Sequence, residues 1–151
     1  MGFSAKKLNL FLITNLPSAF LCGVRVESID QVQCRVNVRH KWINKNPFKS
    51  MFWAVQGMAA ELSTGALIML KIKSLNRKVS MLVIKNEARF TKKAKGRISF
   101  CCNQGFDIDN ALNAAITSGE AQTVVLHAEG HDETGDMVSK FHFEWTLKIK
   151  S

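Results

Sequence analysis

Apolar positions recur along the chain with two different periods, and each change of period marks a new element. Leu8, Leu10, Phe11, Ile13 and Leu16 follow a helical spacing that ends at Pro17. Val24 and Val26 begin a two-residue alternation. After a turn near Asp30 it resumes with Val32, Cys34, Val36 and Val38 against Gln33, Arg35, Asn37 and Arg39. Successive side chains of a strand point to opposite faces, so this predicts a half-buried antiparallel hairpin. Asn44, Asn46 and Pro47 mark a loop over 42–49. From Ser50 to Leu70 the only charged side chain is Glu61; the run predicts a long helix that Ser50 could cap. Ala54, Gly57, Glu61 and Gly65 form a stripe on it, with Met51, Val55, Met58, Leu62 and Ile68 alongside. Two glycines inside a helix cost about 1 kcal/mol each relative to alanine, which implies close packing or ligand approach at that stripe.

Alternation returns over 79–90, 97–104, 121–130 and 137–150, clearest at Phe141, Phe143, Trp145 and Leu147. A basic turn at 92–96, a short helix over 106–118 with Ile108, Leu112, Ala115 and Ile116 on one face, and a polar turn at 131–136 separate these strands. The order of helix, hairpin, long helix and four further strands is α+β rather than alternating α/β. A length of 151 residues suits one domain, 1–151, whose first 22 residues form an N-terminal helical segment. The run from Ser50 to Leu70 is long enough to span a bilayer. Its Gln56, Glu61, Ser63 and Thr64, and its amphipathic neighbours, instead point to a helix enclosed by a sheet, which is apolar nearly all round for the same reason.

Charge and cysteines narrow the function only a little. The net charge of +9 suggests an acidic partner, with its densest cluster at Lys92, Lys93, Lys95 and Arg97. No interleaved basic and aromatic surface, zinc finger or helix-turn-helix is visible, so nucleic acid is not expected. Cys22, Cys34, Cys101 and Cys102 form no CxxC pair and read as small hydrophobes of a reducing cytoplasm. Leu8 to Cys22 resembles a weak signal peptide, but Asn9, Asn15 and Pro17 interrupt it and Leu21 spoils a cleavage site. A cytoplasmic protein with no membrane partner is the expectation. His127 and His131 lie in a strand-then-turn pattern rather than a helix, so neither a metal nor a cofactor is expected.

The stretch Asn46-Pro47-Phe48-Lys49-Ser50-Met51-Phe52-Trp53, followed by Ala60-Glu61, resembles the signature of hotdog-fold acyl-CoA thioesterases of the phenylacetate-pathway type. In that family an Asn opens the loop, Gly-Thr-apolar-His-Gly-Gly leads into the long helix, and an Asp or Glu lies about two turns along it. The spacing from Asn46 to Glu61 matches. The run from Ala88 to Gly96 is similar to the family's strand and glycine turn. The resemblance extends from Val24 onward and is strongest to the uncharacterised branch known as domain of unknown function 4442.

The resemblance implies a hotdog fold, a curved antiparallel sheet wrapped around one long helix, here with an N-terminal helix and a short extra one. It implies acyl thioesters of coenzyme A or acyl carrier protein as substrates. The site would lie between subunits of a homodimer or dimer of dimers, Glu61 of one facing the helix-start loop of the other. Glu61 would be the general base or nucleophile, and Asn46 would orient the helix start or an attacking water. Amides near Phe52 and Trp53 would polarise the carbonyl, while Lys92, Lys93, Lys95 and Arg97 would meet coenzyme A phosphates.

The family His falls on Phe52, its two following glycines on Trp53 and Ala54, and the earlier glycine on Lys49. Bulky Phe52 and Trp53 favour a second reading, a non-catalytic protein that keeps the fold and an apolar acyl tunnel. Glu61 also has a structural reading, as half of a buried pair with Arg89, Asn46 or a partner subunit.

Overall fold

The computed structural model describes residues 3–151; Met1 and Gly2 of the expected N-terminal segment lie outside them. Leu8 and Leu12, one turn apart, are the residues that helix α1 (Ala5–Asn15) buries, and Ser4 caps it by accepting from the Lys7 N–H. Pro17 does more than end this helix. It occupies the first turn of a second, α2 (Pro17–Leu21), where its missing N–H removes nothing.

Six strands follow in one antiparallel sheet: β1 (Arg25–Ile29), β2 (Cys34–Arg39), β3 (Val79–Phe90), β4 (Arg97–Cys102), β5 (Gln122–His131) and β6 (Met137–Ile149). Their order in space is β1-β2-β4-β5-β6-β3, which leaves β1 and β3 as edges. The sheet curves around α3 (Trp53–Leu75), which packs against β1, β2, β4, β5 and β6. Helix α4 (Gly105–Ser118) lies against β5 and β6. This is α+β, as the apolar pattern predicted, with a curved antiparallel sheet around one long helix, as the family resemblance implied. Among the described residues no helix is long and apolar enough to cross a membrane.

The core forms where α3 meets the inner face of the sheet. Phe141, Phe143, Trp145 and Leu147 of β6 are all buried, as their alternation predicted. Phe141 stacks on Phe143 and meets Phe100 and Phe90 edge-on. Phe100 lies over its register partner Gly130, where a Cβ would come within 2.5 Å of the ring, so only glycine leaves room for it. Full burial of one such side chain contributes roughly 1.5–3 kcal/mol. Cys34 and Cys102 face each other across β2 and β4, both buried; desolvation raises both thiols, Cys102 to about 11. All four cysteines are free.

Several boundaries differ from the sequence reading, three of them for reasons that side-chain and backbone hydrogen bonds show. The α3 helix begins at Trp53 with Phe52 as its N-cap, not Ser50. Ser50 is buried and bonded to Asn46, and Met51 bridges Lys45 and donates its N–H to the Ala94 carbonyl, so 50–52 stays extended. Val32 is exposed, because the Asp30 side chain accepts from the N–H groups of Val32 and Gln33 and closes a turn that delays β2 until Cys34. Strand β4 stops at Cys102, since Gln104 caps α4 and its side chain bonds the His127 N–H and the Val125 carbonyl.

Candidate active site

The loop before α3 is built by two asparagines. Asn44, buried, donates from Nδ2 to the carbonyls of Cys22 and Arg39 and accepts at Oδ1 from the Lys41 N–H. Its own carbonyl takes the Phe52 N–H at 2.8 Å. Asn46 donates to Ser50 Oγ (3.0 Å) and the Met51 carbonyl (3.2 Å), and its Oδ1 accepts from the Phe48 and Ser50 N–H groups. Between them Lys49 has φ +63°, the left-handed conformation that favours glycine. That is the position where the resembling thioesterases carry glycine.

These bonds fix the first turn of α3. Among the described residues no side chain caps it, and the N–H groups of Trp53 and Ala54 have no intrahelical acceptor by helix geometry. Phe52 and Trp53, 45% and 56% exposed, meet edge-on with centroids 6.0 Å apart. They stand beside the amides and leave the core to Met51 and Val55. A groove of about 510 Å³ runs in front, lined by Asn46, Phe52, Trp53 and Gln56 on one side and by Phe90, Lys92 and Lys93 on the other.

Five of the residues singled out by the sequence thus share one groove: Asn46, Phe52, Trp53, Lys92 and Lys93. Lys93 Nζ donates to the Phe48 carbonyl at 3.3 Å. Lys92 is held by Asp132 and Asp136, 2.7 Å each, which raises the ammonium and lowers both carboxyls. Lys95 and Arg97 do not line the groove. Arg97 pairs with Glu27 at 2.8 Å and borders a larger cleft, about 700 Å³, in which Arg35 also faces Glu27. Opposite charges there offset each other, leaving little field for a ligand.

Glu61 lies apart, about 12 Å along the helix axis from Trp53 at 1.5 Å per residue. It is partly buried among small neighbours: a Cβ on Gly65 would lie 3.7 Å from its Oε1. Among the described residues its carboxylate has neither ion pair nor hydrogen bond, and burial raises its pKa from the ordinary 4.5. The pairings considered from sequence do not form within the chain. Arg89 stands in register with Lys140 on the face away from Phe141, and Asn46 spends its side chain on its own loop.

The polar residues around Glu61 act in packing. Gln56 Oε1 accepts from Ser139 Oγ at 2.7 Å, and Thr64 Oγ1 accepts from the Trp145 indole at 3.0 Å, both buried. Further along, buried Lys71 pairs with Asp109 of α4 at 2.7 Å. Sequence reasoning missed Asn44 and Lys71. The only signal for either was a polar residue within an apolar or turn pattern, and their partners lie 22 and 38 residues away. No group of three or more His, Cys, Asp or Glu among the described residues could hold a metal ion.

A long helix enclosed by a curved six-stranded antiparallel sheet is the hotdog fold. The chain belongs to the family described as a domain of unknown function (DUF4442), whose profile matches residues 8–147. Its fold is similar to that of a protein of unknown function from Pseudomonas aeruginosa described as a probable thioesterase, with 23% identity, 96% of each chain covered and a TM-score of 0.82. It is also similar to a protein of unknown function from Chlorobaculum tepidum (18% identity, 97% and 94% covered, TM-score 0.82). A thioesterase from Haemophilus influenzae shares 12% identity over 99% of this chain and 93% of its own, with a TM-score of 0.74. No curated protein matches.

Proposed function

We propose that this single-domain cytoplasmic protein is a homodimeric hydrolase of acyl thioesters carried on coenzyme A or on acyl carrier protein. The observation that carries this reading is the separation between an unpaired, raised carboxylate and the free amides of its own helix start. About 12 Å is too far for both to act on one carbonyl within a chain. A second copy resolves this, bringing its helix-start loop to Glu61. Edge strand β3 supports such pairing, with exposed Leu82, Ile84 and Phe90 and an unpaired backbone edge.

In the proposed reaction Glu61 takes a proton from water as the water oxygen bonds to the thioester carbon. The N–H groups of Trp53 and Ala54 stabilise the oxyanion, since the Phe52 N–H is already taken by Asn44. Collapse breaks the C–S bond, and the proton held by Glu61 passes to the departing thiolate. Asn46 is a positioning residue that sets the helix start. Lys93 leads the contact with carrier phosphates from within the groove, with exposed Lys95 beyond it, while carboxylate partners offset the charges of Lys92 and Arg97.

Phe52 and Trp53 in the groove support a second reading, an acyl-thioester-binding protein without hydrolysis. Purified protein tested against short, medium and long acyl-CoAs with a thiol-detecting reagent separates the two. Thiol release supports the hydrolase; tight binding without it supports the binding protein.

A further inference from the structure

Leu10 and Leu21 are 68% and 65% exposed, and Phe11, Ile13 and Leu16 are exposed beside them. Helix α1 turns Leu8 and Leu12 inward and yet presents a second apolar set outward, where a soluble amphipathic helix carries polar residues. No charged residue lies between Lys7 and Arg25. Beside this surface a groove of about 660 Å³ runs between α1 and α3, with Phe3, Leu10, Phe11 and Met69 in its walls and Lys7 and Lys73 at its rim.

The charged residues that flank the patch along the chain or line its groove are basic. Lys6, Lys7 and Lys73 border it, the first acidic residue of the chain is Glu27, and none occurs between Glu61 and Glu87. Lys71 is buried against Asp109 and takes no part. Helix α1 packs on β1, the sheet edge opposite β3, so this surface is separate from the proposed dimer edge. An apolar patch ringed by lysines is complementary to a surface that is apolar inside and anionic outside.

We propose that α1 and α2 dock the protein on an anionic lipid surface, with Leu10, Ile13, Leu16 and Leu21 at the acyl boundary and Lys6, Lys7 and Lys73 on the headgroups. At 11 and 5 residues the helices lie in the interface and do not span it. The test is co-sedimentation of the full chain with phosphatidylcholine vesicles, with and without phosphatidylglycerol. We expect about tenfold or greater partition onto the anionic vesicles at low salt, weakening as salt screens the lysines. The double variant Leu10→Glu, Leu21→Glu, with both side chains exposed, should fall to the level of neutral vesicles while keeping the wild-type melting temperature. Equal sedimentation with and without phosphatidylglycerol overturns the proposal, as does a double variant that binds like wild type. A wild-type assembly that the double variant splits, with no vesicle binding, assigns the patch to a second copy and also overturns it.

Discussion

The Trp145 indole Nε1 donates to Thr64 Oγ1 at 3.0 Å inside the buried contact between β6 and α3, and Thr64 Oγ1 donates to the Glu61 carbonyl at 2.8 Å. Trp145 also lies 3.4 Å from the position of a Cβ on Gly65, so the same side chain fixes both depth and rotation of the helix. Glu61 faces where it does because that turn cannot rotate without breaking a buried hydrogen bond. Thr64→Val keeps the shape and leaves the indole N–H unpaired, at a cost of about 1–3 kcal/mol. Urea denaturation should show a lowered midpoint for Thr64→Val and a near wild-type midpoint for Thr64→Ser. Equal midpoints for all three would mean the bond fixes nothing.

Gly57 and Gly105 should respond oppositely to alanine. A Cβ on Gly57 would sit 3.5 Å from Phe141, an ordinary contact, so Gly57→Ala should gain up to about 1 kcal/mol of helix stability. A Cβ on Gly105 would fall 2.1 Å from the Gln31 carbonyl oxygen, a backbone atom that cannot swing aside. Gly105→Ala should cost about 3 kcal/mol. Thermal unfolding of the two variants checks both signs.

The Glu61 carboxyl has a pH signature. Its folded-state pKa lies above the ordinary 4.5 because burial disfavours the charge. The folded protein therefore binds this proton more tightly than the unfolded chain, and the stability it contributes is present below 4.5 and lost as pH rises through the folded value. Glu61→Gln keeps the neutral shape and lacks this loss. Stability measured across pH should show the variant gaining on wild type from about 4.5 upward, then a constant gap. Shifts at Asp132 and Asp136 are common to both proteins and cancel in the difference. A gap that narrows with rising pH would contradict the account.

Asn46→Ala removes the bonds to Phe48, Ser50 and Met51 that hold the loop. Expected effects are a loss of about 1–2 kcal/mol in stability and slower thiol release. The pH at which release is half-maximal should not move, because in the proposed reaction that value belongs to Glu61. A shifted midpoint would make Asn46 a partner of the carboxylate instead of a builder of the loop.

Long-period features were legible in the sequence. The strand alternation at Phe141, Phe143, Trp145 and Leu147 and the uncharged run around Glu61 each report a single element's exposure to the core. Boundaries were less so, because side chains decided them. Ser50 looks like a helix cap until Asn46 takes its hydroxyl, and Val32 fits the alternation until Asp30 folds it into a turn. Pairings between distant elements were not legible: Gln56 with Ser139 and Thr64 with Trp145 lie 83 and 81 residues apart. For the site, the chain order did not show that Lys95 and Arg97 lie outside the groove, but it supplied Asn46, the helix start and Glu61 and, with the helical rise, the distance between them. That distance is what makes a second subunit necessary to the proposal.

The central claim is that Glu61 acts as a base in a site completed by a second subunit. Its most direct test is thiol release from an acyl-CoA that wild type hydrolyses, measured beside Glu61→Ala under conditions where light scattering reports the assembly of both. The account predicts that Glu61→Ala remains dimeric and loses at least about a hundredfold of the hydrolysis rate. An intact dimer that hydrolyses at the wild-type rate without Glu61 would contradict it.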